Sequence, residues 1–294
     1  MPASGWTKTL VCFSMLIALA ALANCSRAQF TEVEPNDTPR QATQITVNAT
    51  VRGVIGTAGD TDFFAFAIAR PTVLDIRLSA AEGIDHGFTI GAIDHAGFTP
   101  LKTVDDGRHG APERMCNFHA APGGYVVMVR HRDAIGAATR GRPYHLVIDG
   151  RPARPNEERE PNDAPSAANP IVAGQEMRGY FSPGRNPENR RPTAEFREED
   201  WYSIDVPADG ASEASLIDIT LIGAPSINAL VCLHNRSGAV LGCADKNGVG
   251  GDESLMDAPL ESAGRYYIMV AALDNAANGN IPYLLTVRVR PRSR

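Results

Sequence analysis

Residues 60–66 read DTDFFAF and residues 198–204 read EEDWYSI, so an acidic turn runs twice into an aromatic segment. Three further blocks recur in the same order: residues 32–37 (EVEPND) as 158–163 (EREPND), 124–129 (GYVVMV) as 265–270 (RYYIMV), and 144–147 (YHLV) as 283–286 (YLLT). Blocks that recur in one order indicate two copies of a single module. The offset between the copies grows after the first block, which predicts an insertion at Ser182–Phe196 that forms a surface loop.

The segments between the turns alternate as β-strands do. Residues 73–78 (VLDIRL) and 216–221 (LIDITL) alternate apolar and polar side chains, so one face of each would be buried and the other solvated. The apolar positions after the acidic turns also share a strand face: Phe64, Phe66 and Ile68 in the first copy, and Tyr202, Ile204 and Val206 in the second. Short strands separated by Gly, Pro, Asn and Asp favour an all-β antiparallel sandwich.

Residues 1–28 have the features of a secretory signal peptide. Lys8 precedes an apolar stretch at residues 10–23, which is too short to span a membrane as a helix. Residues 22–25 (LANC) resemble a lipobox, in which Cys25 would be acylated. We therefore expect an exported protein that is secreted, periplasmic or lipid-anchored at the cell envelope, with a lipid anchor as its sole contact with the membrane.

Length and charge restrict the organisation and the partners. A chain of 294 residues suits two domains, and a formal net charge of −6 differs from the basic surface of a nucleic-acid-binding protein. The repeat divides the mature chain into module one, residues 29–150, and module two, residues 158–294, with residues 151–157 between them. Gly150–Glu157 (GRPARPNE) contains two prolines and several charges, which predicts a short, exposed and stiff linker.

The ordered blocks resemble a known family. A Glu-x-Glu-Pro-Asn-Asp opening, an acidic turn before an aromatic strand, and a tyrosine-containing strand near the end are similar to the bacterial pre-peptidase C-terminal (PPC) domain. The collagen-binding domains of clostridial collagenases are similar to that family. The resemblance covers nearly the whole mature chain, twice. It implies two tandem jelly-roll-like antiparallel β-sandwiches of a kind appended to secreted proteases and other exported proteins, and it implies that the modules are non-catalytic.

The acidic opening segments are the candidate metal sites. In the resembled family the opening segment and the acid before the aromatic strand hold calcium together, and calcium takes six to eight oxygen ligands. Carried over residue by residue, the resemblance implies calcium ligands at Glu32, Glu34, Asn36, Asp37 and Asp62, and at Glu158, Glu160, Asn162, Asp163 and Asp200. The alternative is that Pro-Asn-Asp only forms turns, with side chains bonded to the local backbone.

Two cysteines are placed to form a bridge. Cys232 and Cys243 flank a turn at residues 235–238 (NRSG), and pairing that is symmetric about this turn puts them opposite each other. Because exported proteins meet oxidising conditions, we predict a cross-strand disulfide. The alignment of the two copies gives Gly91 and Thr103 as the equivalents in module one, so the bridge would be specific to module two.

The remaining residues give no catalytic signature. The seven histidines form no His-Glu-x-x-His pair, and the sequence contains no Gly-x-Ser-x-Gly elbow. Residues 245–250 (DKNGVG) begin like an EF-hand loop, but Met256 stands where the bidentate glutamate is required. Cys116 is then the odd cysteine, and we expect it to be a small buried hydrophobic residue.

The function that fits these observations is non-enzymatic. We expect a binding or adhesion protein, or an accessory to an enzyme, whose partner is an extracellular-matrix, cell-wall or polysaccharide ligand or a secreted peptidase. One alternative is a structural envelope lipoprotein whose modules act as spacers. A third is a hydrolase with an unrecognised site, since a triad is defined by geometry and not by sequence position.

Overall fold

The computed structural model describes residues 27–57, 59–79, 84–95, 97–105, 110–131, 141–181, 199–207, 215–273 and 278–291. The predicted signal peptide up to residue 26, including Cys25, lies outside these residues, and so does the predicted loop at Ser182–Phe196. Within the described part of the chain, no helix is both long enough and apolar enough to cross a membrane.

Residues 28–151 form a sandwich of two five-stranded sheets. The strands in this described region are β1 (Ala28–Thr31), β2 (Thr43–Gln44), β3 (Ala49–Gly53), β4 (Thr61–Ile68), β5 (Thr72–Leu78), β6 (His86–Asp94), β7 (Gly97–Val104), β8 (Glu113–Ala120), β9 (Gly123–His131) and β10 (Tyr144–Arg151). One sheet has the order β1-β3-β10-β5-β8, and the other has the order β2-β4-β9-β6-β7.

A second sandwich repeats this arrangement. Its described elements are a 3-10 helix (Pro165–Ala167), β11 (Asn169–Pro170), β12 (Glu176–Phe181), β13 (Glu199–Val206), β14 (Ser215–Ile222), β15 (Ala229–His234), β16 (Val240–Ala244), β17 (Glu253–Leu260), β18 (Gly264–Ala272) and β19 (Asn278–Pro291). The sheets have the orders β12-β19-β14-β17 and β11-β13-β18-β15-β16, which match the first sandwich strand by strand except for β1. Two tandem antiparallel sandwiches are therefore confirmed, with short parallel pairs at β1–β3, β2–β4 and β11–β13 as an addition.

Each sandwich has its own core, and the predicted strand faces point into it. The first core contains Phe64, Phe66 and Ile68, together with inward-facing residues of β5, β6, β9 and β10. The second core contains their counterparts Tyr202, Ile204 and Val206. Burying a large apolar side chain stabilises the fold by about 1.5–3 kcal/mol, which is why the period-two pattern fixes the orientation of each strand.

The segment between the sandwiches is exposed in its middle and held at both ends. Residues 152–156 are exposed as predicted, but Glu157 is buried, so the expectation of an exposed linker is wrong at that residue. The reason is an ion pair: Glu157 accepts hydrogen bonds of 2.7 Å from both Nη1 and Nη2 of Arg151. Arg151 is the last residue of β10, so its ion pair with Glu157 holds the start of the second module against the end of the first sandwich.

The predicted disulfide is confirmed. Cys232 in β15 and Cys243 in β16 are direct partners in the sheet and are bonded to each other. The register shows that the equivalent of Cys232 is Thr89 and not Gly91, because Cys232 lies opposite Met269 and Thr89 lies opposite Met128. The hydroxyls of Thr89 and Thr103 are 2.8 Å apart and hydrogen bond, so a polar pair occupies the place of the disulfide.

Candidate metal centre

The opening segment of each module lies along the start of the aromatic strand. The carbonyl of Asn36 accepts a hydrogen bond from the Phe63 amide at 3.1 Å, and the carbonyl of Asn162 accepts one from the Trp201 amide at 3.0 Å. In both segments a glutamate accepts from the backbone amide two residues later, Glu34 at 2.9 Å and Glu160 at 3.1 Å. The turn chemistry and the clustering of carboxylates are thus both present in the same residues.

Module one gathers three carboxylates at one end of its sandwich. Glu32, Glu34 and Asp62 each offer an oxygen atom, and these atoms lie within 4.8 Å of one another. Asp62 is fully buried, Glu32 is half-buried and Glu34 is exposed, so the group opens to solvent on one side. Glu32 accepts from the Val54 amide at 2.8 Å through Oε1, but its Oε2 is buried without a hydrogen-bond partner among the described residues.

Burial makes the charges in this cluster costly. The Tyr144 hydroxyl donates to Asp62 Oδ2, and this donor stabilises the ionised carboxylate. Burial nevertheless raises the pKa of Asp62 to about 8, and the nearby charge of Glu32 adds to this effect. Burial also raises the pKa of Glu32. Two carboxyls so placed are stabilised either by a shared proton or by a cation.

A glycine and an asparagine shape the same pocket. A Cβ atom on Gly53 would overlap the Tyr144 ring and Glu32 Oε2, so the close approach of backbone and carboxylate requires glycine there. The Asn36 amide lies 3.2 Å from oxygen atoms of both Glu34 and Asp62. It either turns its NH₂ toward both carboxylates or contributes its oxygen to the same oxygen-lined space.

In module two, the equivalent residues form a buried cluster. Tyr283 donates to Asp200 Oδ2 at 2.6 Å, as Tyr144 does to Asp62. Burial raises the pKa of Glu158 to about 8 and raises that of Asp200 well above its ordinary value. Five predicted ligands are at most 5% exposed: Glu158, Glu160, Asn162, Asp163 and Asp200. Among the described residues, this cluster therefore lacks the exposed carboxylate that Glu34 provides in module one.

A lysine from the first sandwich enters the second cluster. Lys102, in β7, is fully buried, and its Nζ atom lies 2.8 Å from Glu160 Oε1. Sequence reasoning missed Lys102, because nothing in the repeat connects β7 to the opening segment of the next module. It also missed the roles of Tyr144 and Tyr283, although their recurring blocks were a usable signal.

Asp37 and Asp163 are equivalent predicted ligands of the two modules, but their surroundings differ. Asp37 is exposed, and its Oδ1 accepts a long hydrogen bond of 3.4 Å from the Thr61 amide. Asp163 is buried in the second cluster. Its pKa is raised to about 6, chiefly by burial, while the charge of Lys102 acts in the opposite direction. Asp37 is therefore the more peripheral of the two.

The other candidate residues lie elsewhere. In the loop that begins like an EF-hand, the amides of Lys246 and Asn247 donate to Glu253 at 2.8 and 2.7 Å, which makes it a connection between strands. Cys116 is buried as expected, and its thiol donates to the carbonyl of Gly279 at 2.9 Å. His86 is buried against the rings of Tyr144 and His131, with centroids 5.5 and 5.6 Å away.

These features define a protein of two tandem β-sandwich modules, each with an acidic cluster at the start of its aromatic strand. The sequence matches no family model and no curated protein. Similar solved structures include the pre-peptidase C-terminal domain of collagenase from Bacillus anthracis, with 21% identity over 37% of this chain and 94% of that domain and a TM-score of 0.29.

Two further similar structures cover more of the chain. The N-terminal CBM22-1-CBM22-2 tandem domain of Xyn10C from Paenibacillus barcinonensis is 10% identical over 78% of this chain and 82% of that one, with a TM-score of 0.21. A protein from Eubacterium rectale, named as secreted, is 10% identical over 91% and 88%, with a TM-score of 0.24. The resemblance to the PPC family therefore rests on the sequence motifs.

Proposed function

We propose that the mature chain is an exported, non-catalytic binding or enzyme-accessory protein of two PPC-like modules, in which a calcium ion fastens the opening segment of module one. The observation that carries this proposal is the convergence of Glu32, Glu34 and Asp62 within 4.8 Å at the end of the sandwich. The cluster joins the first segment of the module to the aromatic strand, so a bound ion would stabilise the fold.

The donor set suits calcium. The groups are carboxylate and amide oxygens, which select calcium or magnesium over zinc. Glu32 Oε2 is a buried acceptor with no hydrogen-bond partner among the described residues, and a cation would satisfy it. Glu32, Glu34 and Asp62 would hold the ion, with Asn36 and Asp37 beside them. Calcium bound there would neutralise carboxylates that otherwise repel one another.

A binding role agrees with the clefts of the described surface. One cleft, of about 360 Å³, lies beside the start of β5 and the end of β10 in module one. Its polar side chains come from Asn48, Arg70, Thr72 and Arg151, and its lining includes no carboxylate, histidine, serine or cysteine. Arginine and amide donors suit a polymer or peptide ligand. The proposed partner is a matrix protein, a cell-wall polymer, a polysaccharide or a secreted peptidase.

A cosedimentation screen tests the binding function. The purified mature chain is mixed with collagen fibrils, with peptidoglycan and with insoluble polysaccharides, in millimolar calcium and in excess chelator. Binding to one of them, weakened by the chelator, is the expected result. Arg70→Ala should weaken binding if the cleft takes part, with the exposed Arg236→Ala as the matched control. Binding to none of the polymers would leave the spacer function as the better account.

An activity assay tests the non-catalytic part of the proposal. The mature chain should turn over neither casein nor a generic ester. Turnover that copurifies with the chain and is lost on substitution of one Ser, His or Asp would overturn the proposal. The mass of the exported chain tests export itself, because retention of Lys8 would show that the signal peptide is not removed.

A further inference from the structure

The two acidic clusters differ in what faces them. In module one the carboxylates open to solvent at Glu34, whereas the counterpart Glu160 is fully buried. The reason is the preceding sandwich. Its edge strand β8 runs beside the opening segment of module two and forms a parallel bridge between Phe118 and Glu160. The Glu160 amide donates to Asn117 at 3.0 Å, and the His119 amide donates to Glu160 at 2.7 Å.

Lys102 reaches across this contact into the acidic cluster. Its ammonium and the Glu160 carboxylate are both completely buried and 2.8 Å apart. Asn162 links Glu160 to Asp200, since its amide lies 3.1 Å from an oxygen of Glu160 and 3.2 Å from an oxygen of Asp200. The Tyr283 hydroxyl in turn lies 2.6 Å from Asp200 Oδ2 and 3.3 Å from Glu158 Oε2. Lys102 therefore brings a positive charge into a connected group of buried carboxyls.

We propose that the ammonium of Lys102 is the resident cation of the module-two cluster, in place of a metal ion, and that it locks the two modules together. An ammonium carries three donors and a full positive charge, so it can hydrogen bond to several acidic oxygens at once. A buried carboxylate is strongly destabilising without such a partner, so module two requires the lysine of module one to fold its opening segment.

A second contact between the two sandwiches supports this proposal. The buried Cys116 thiol, in β8, donates to the carbonyl of Gly279, in β19, at 2.9 Å. A Cβ atom at Gly279 would lie 3.0 Å from this sulfur, so the close approach depends on glycine. The strand bridge at Glu160, the ion pair of Lys102 and the Cys116 contact all join the same two sandwiches. Together they make the joint a packed interface.

Amine labelling of the wild-type mature chain tests the proposal directly. The sequence contains three lysines, Lys8, Lys102 and Lys246, and Lys246 is exposed and serves as the internal control. With an amine-reactive acetylating reagent, Lys102 should react slower than Lys246 by on the order of 100-fold, because it must wait for local opening. The protection should be the same in millimolar calcium and in excess chelator. Equal reactivity of the two lysines, or exposure of Lys102 on adding calcium, would show that the lysine is not the resident cation.

A variant gives the second measurement. Lys102→Met removes the charge and keeps the length of the side chain, so it leaves buried carboxylates unpaired and should lower the melting temperature by about 10 °C. Lys246→Met should leave it unchanged. An unchanged melting temperature in Lys102→Met would overturn the proposal, and if that variant fails to fold, the labelling result still decides. Absence of calcium binding at module one would leave the protection of Lys102 unaffected, so the two proposals fail separately.

Discussion

At the residue scale, Glu34 marks the difference between the two clusters, because it is exposed whereas Glu160 is buried with Lys102. An exposed ligand beside buried ones gives an ion a route of entry. It also allows a substitution that removes one ligand without leaving a buried cavity. Glu34 is therefore the residue at which the calcium proposal is best tested.

We predict that calcium raises the melting temperature of the mature chain. Binding to the folded state alone should add about 5–10 °C at a calcium concentration a hundredfold above Kd. Glu34→Gln should remove most of this rise while changing the melting temperature in chelator little. Glu176→Gln, at an exposed residue in module two, is the matched control and should keep the full response. Differential scanning fluorimetry with calcium titration, supported by calorimetry of binding, measures both effects.

Equal melting temperatures in calcium and in chelator, with no heat of binding, would contradict this prediction. Glu32 and Asp62 would then be held by a shared proton, and the opening segment would be a turn stabilised by its backbone hydrogen bonds.

A second prediction at this scale concerns His86. It is 2% exposed, and neither ring nitrogen has a hydrogen-bond partner among the described residues. Burial first, and the charge of His131 second, lower the pKa of His86 to about 4. The unfolded chain therefore takes up the proton at higher pH than the folded chain. The stability that His86 contributes as a neutral ring is complete above about pH 6.5 and is lost as the pH falls toward 4.

His86→Ala should reduce the dependence of stability on pH, because it removes the titrating ring. Alanine is chosen because it occupies the equivalent position, Ala229, in module two. Between pH 7 and pH 4, the free energy of unfolding of the wild type should fall by about 2–3 kcal/mol more than that of the variant. Urea unfolding at several pH values measures the slopes, which are independent of the cavity that the substitution leaves. The exposed His145→Ala is the control and should keep the wild-type slope. Parallel curves for wild type and His86→Ala would contradict the assignment.

Much of the candidate site follows from the sequence, and its missing parts have a physical reason. Glu32, Glu34 and Asp62 could be named because the acidic blocks recur and resemble a known family. The hydrogen bond from Tyr144 to Asp62 crosses from one sheet to the other, and no local pattern specifies such a pair. Its recurrence as Tyr283 and Asp200 was the available signal.

At the element scale, strand alternation predicted which faces are buried, but it did not set the register between strands. The repeat in the sequence made Gly91 the equivalent of Cys232, whereas the strand registers make Thr89 its equivalent. The error has a structural cause, since Thr89 and Thr103 are 14 residues apart in the chain, whereas their equivalents Cys232 and Cys243 are 11 residues apart. The two hairpins differ in length, so an offset taken from the neighbouring blocks does not hold across them.

The disulfide of module two gives the prediction at this scale. Cys232 and Cys243 are separated by 11 residues, and closing a loop of that size should stabilise the module by about 2–3 kcal/mol in the chain-entropy model. The double variant Cys232→Ser/Cys243→Ser should have a free energy of unfolding in guanidinium that is lower by this amount. The matched pair in module one, Thr89→Val with Thr103→Val, replaces one hydrogen bond by apolar groups and should cost about 1 kcal/mol or less. Non-reduced peptide mapping that found both thiols free in the exported chain would contradict the prediction.

At the scale of the whole molecule, the repeat hides an asymmetry. Each module carries the same acidic opening, and the opening of the second receives Lys102 from the sandwich that precedes it. The sequence predicted the two modules and an exposed linker, and exposure holds for residues 152–156. It could not predict the packed joint, because Lys102 and Glu160 are far apart in the chain and belong to different blocks of the repeat.

This joint leads to the last prediction, which concerns cooperativity. If Lys102 supplies the cation that the module-two cluster needs, module two loses that partner when module one unfolds. The two modules of the wild type should then melt in a single calorimetric transition. Lys102→Met should separate it into two, with module two melting first, because its buried carboxylates are left unpaired. Lys246→Met should keep the single transition, since that lysine is exposed. Differential scanning calorimetry in excess chelator makes the comparison without any contribution from calcium. Two well-separated transitions in the wild type would mean that the modules fold independently and that the contact at Glu160 does not couple them.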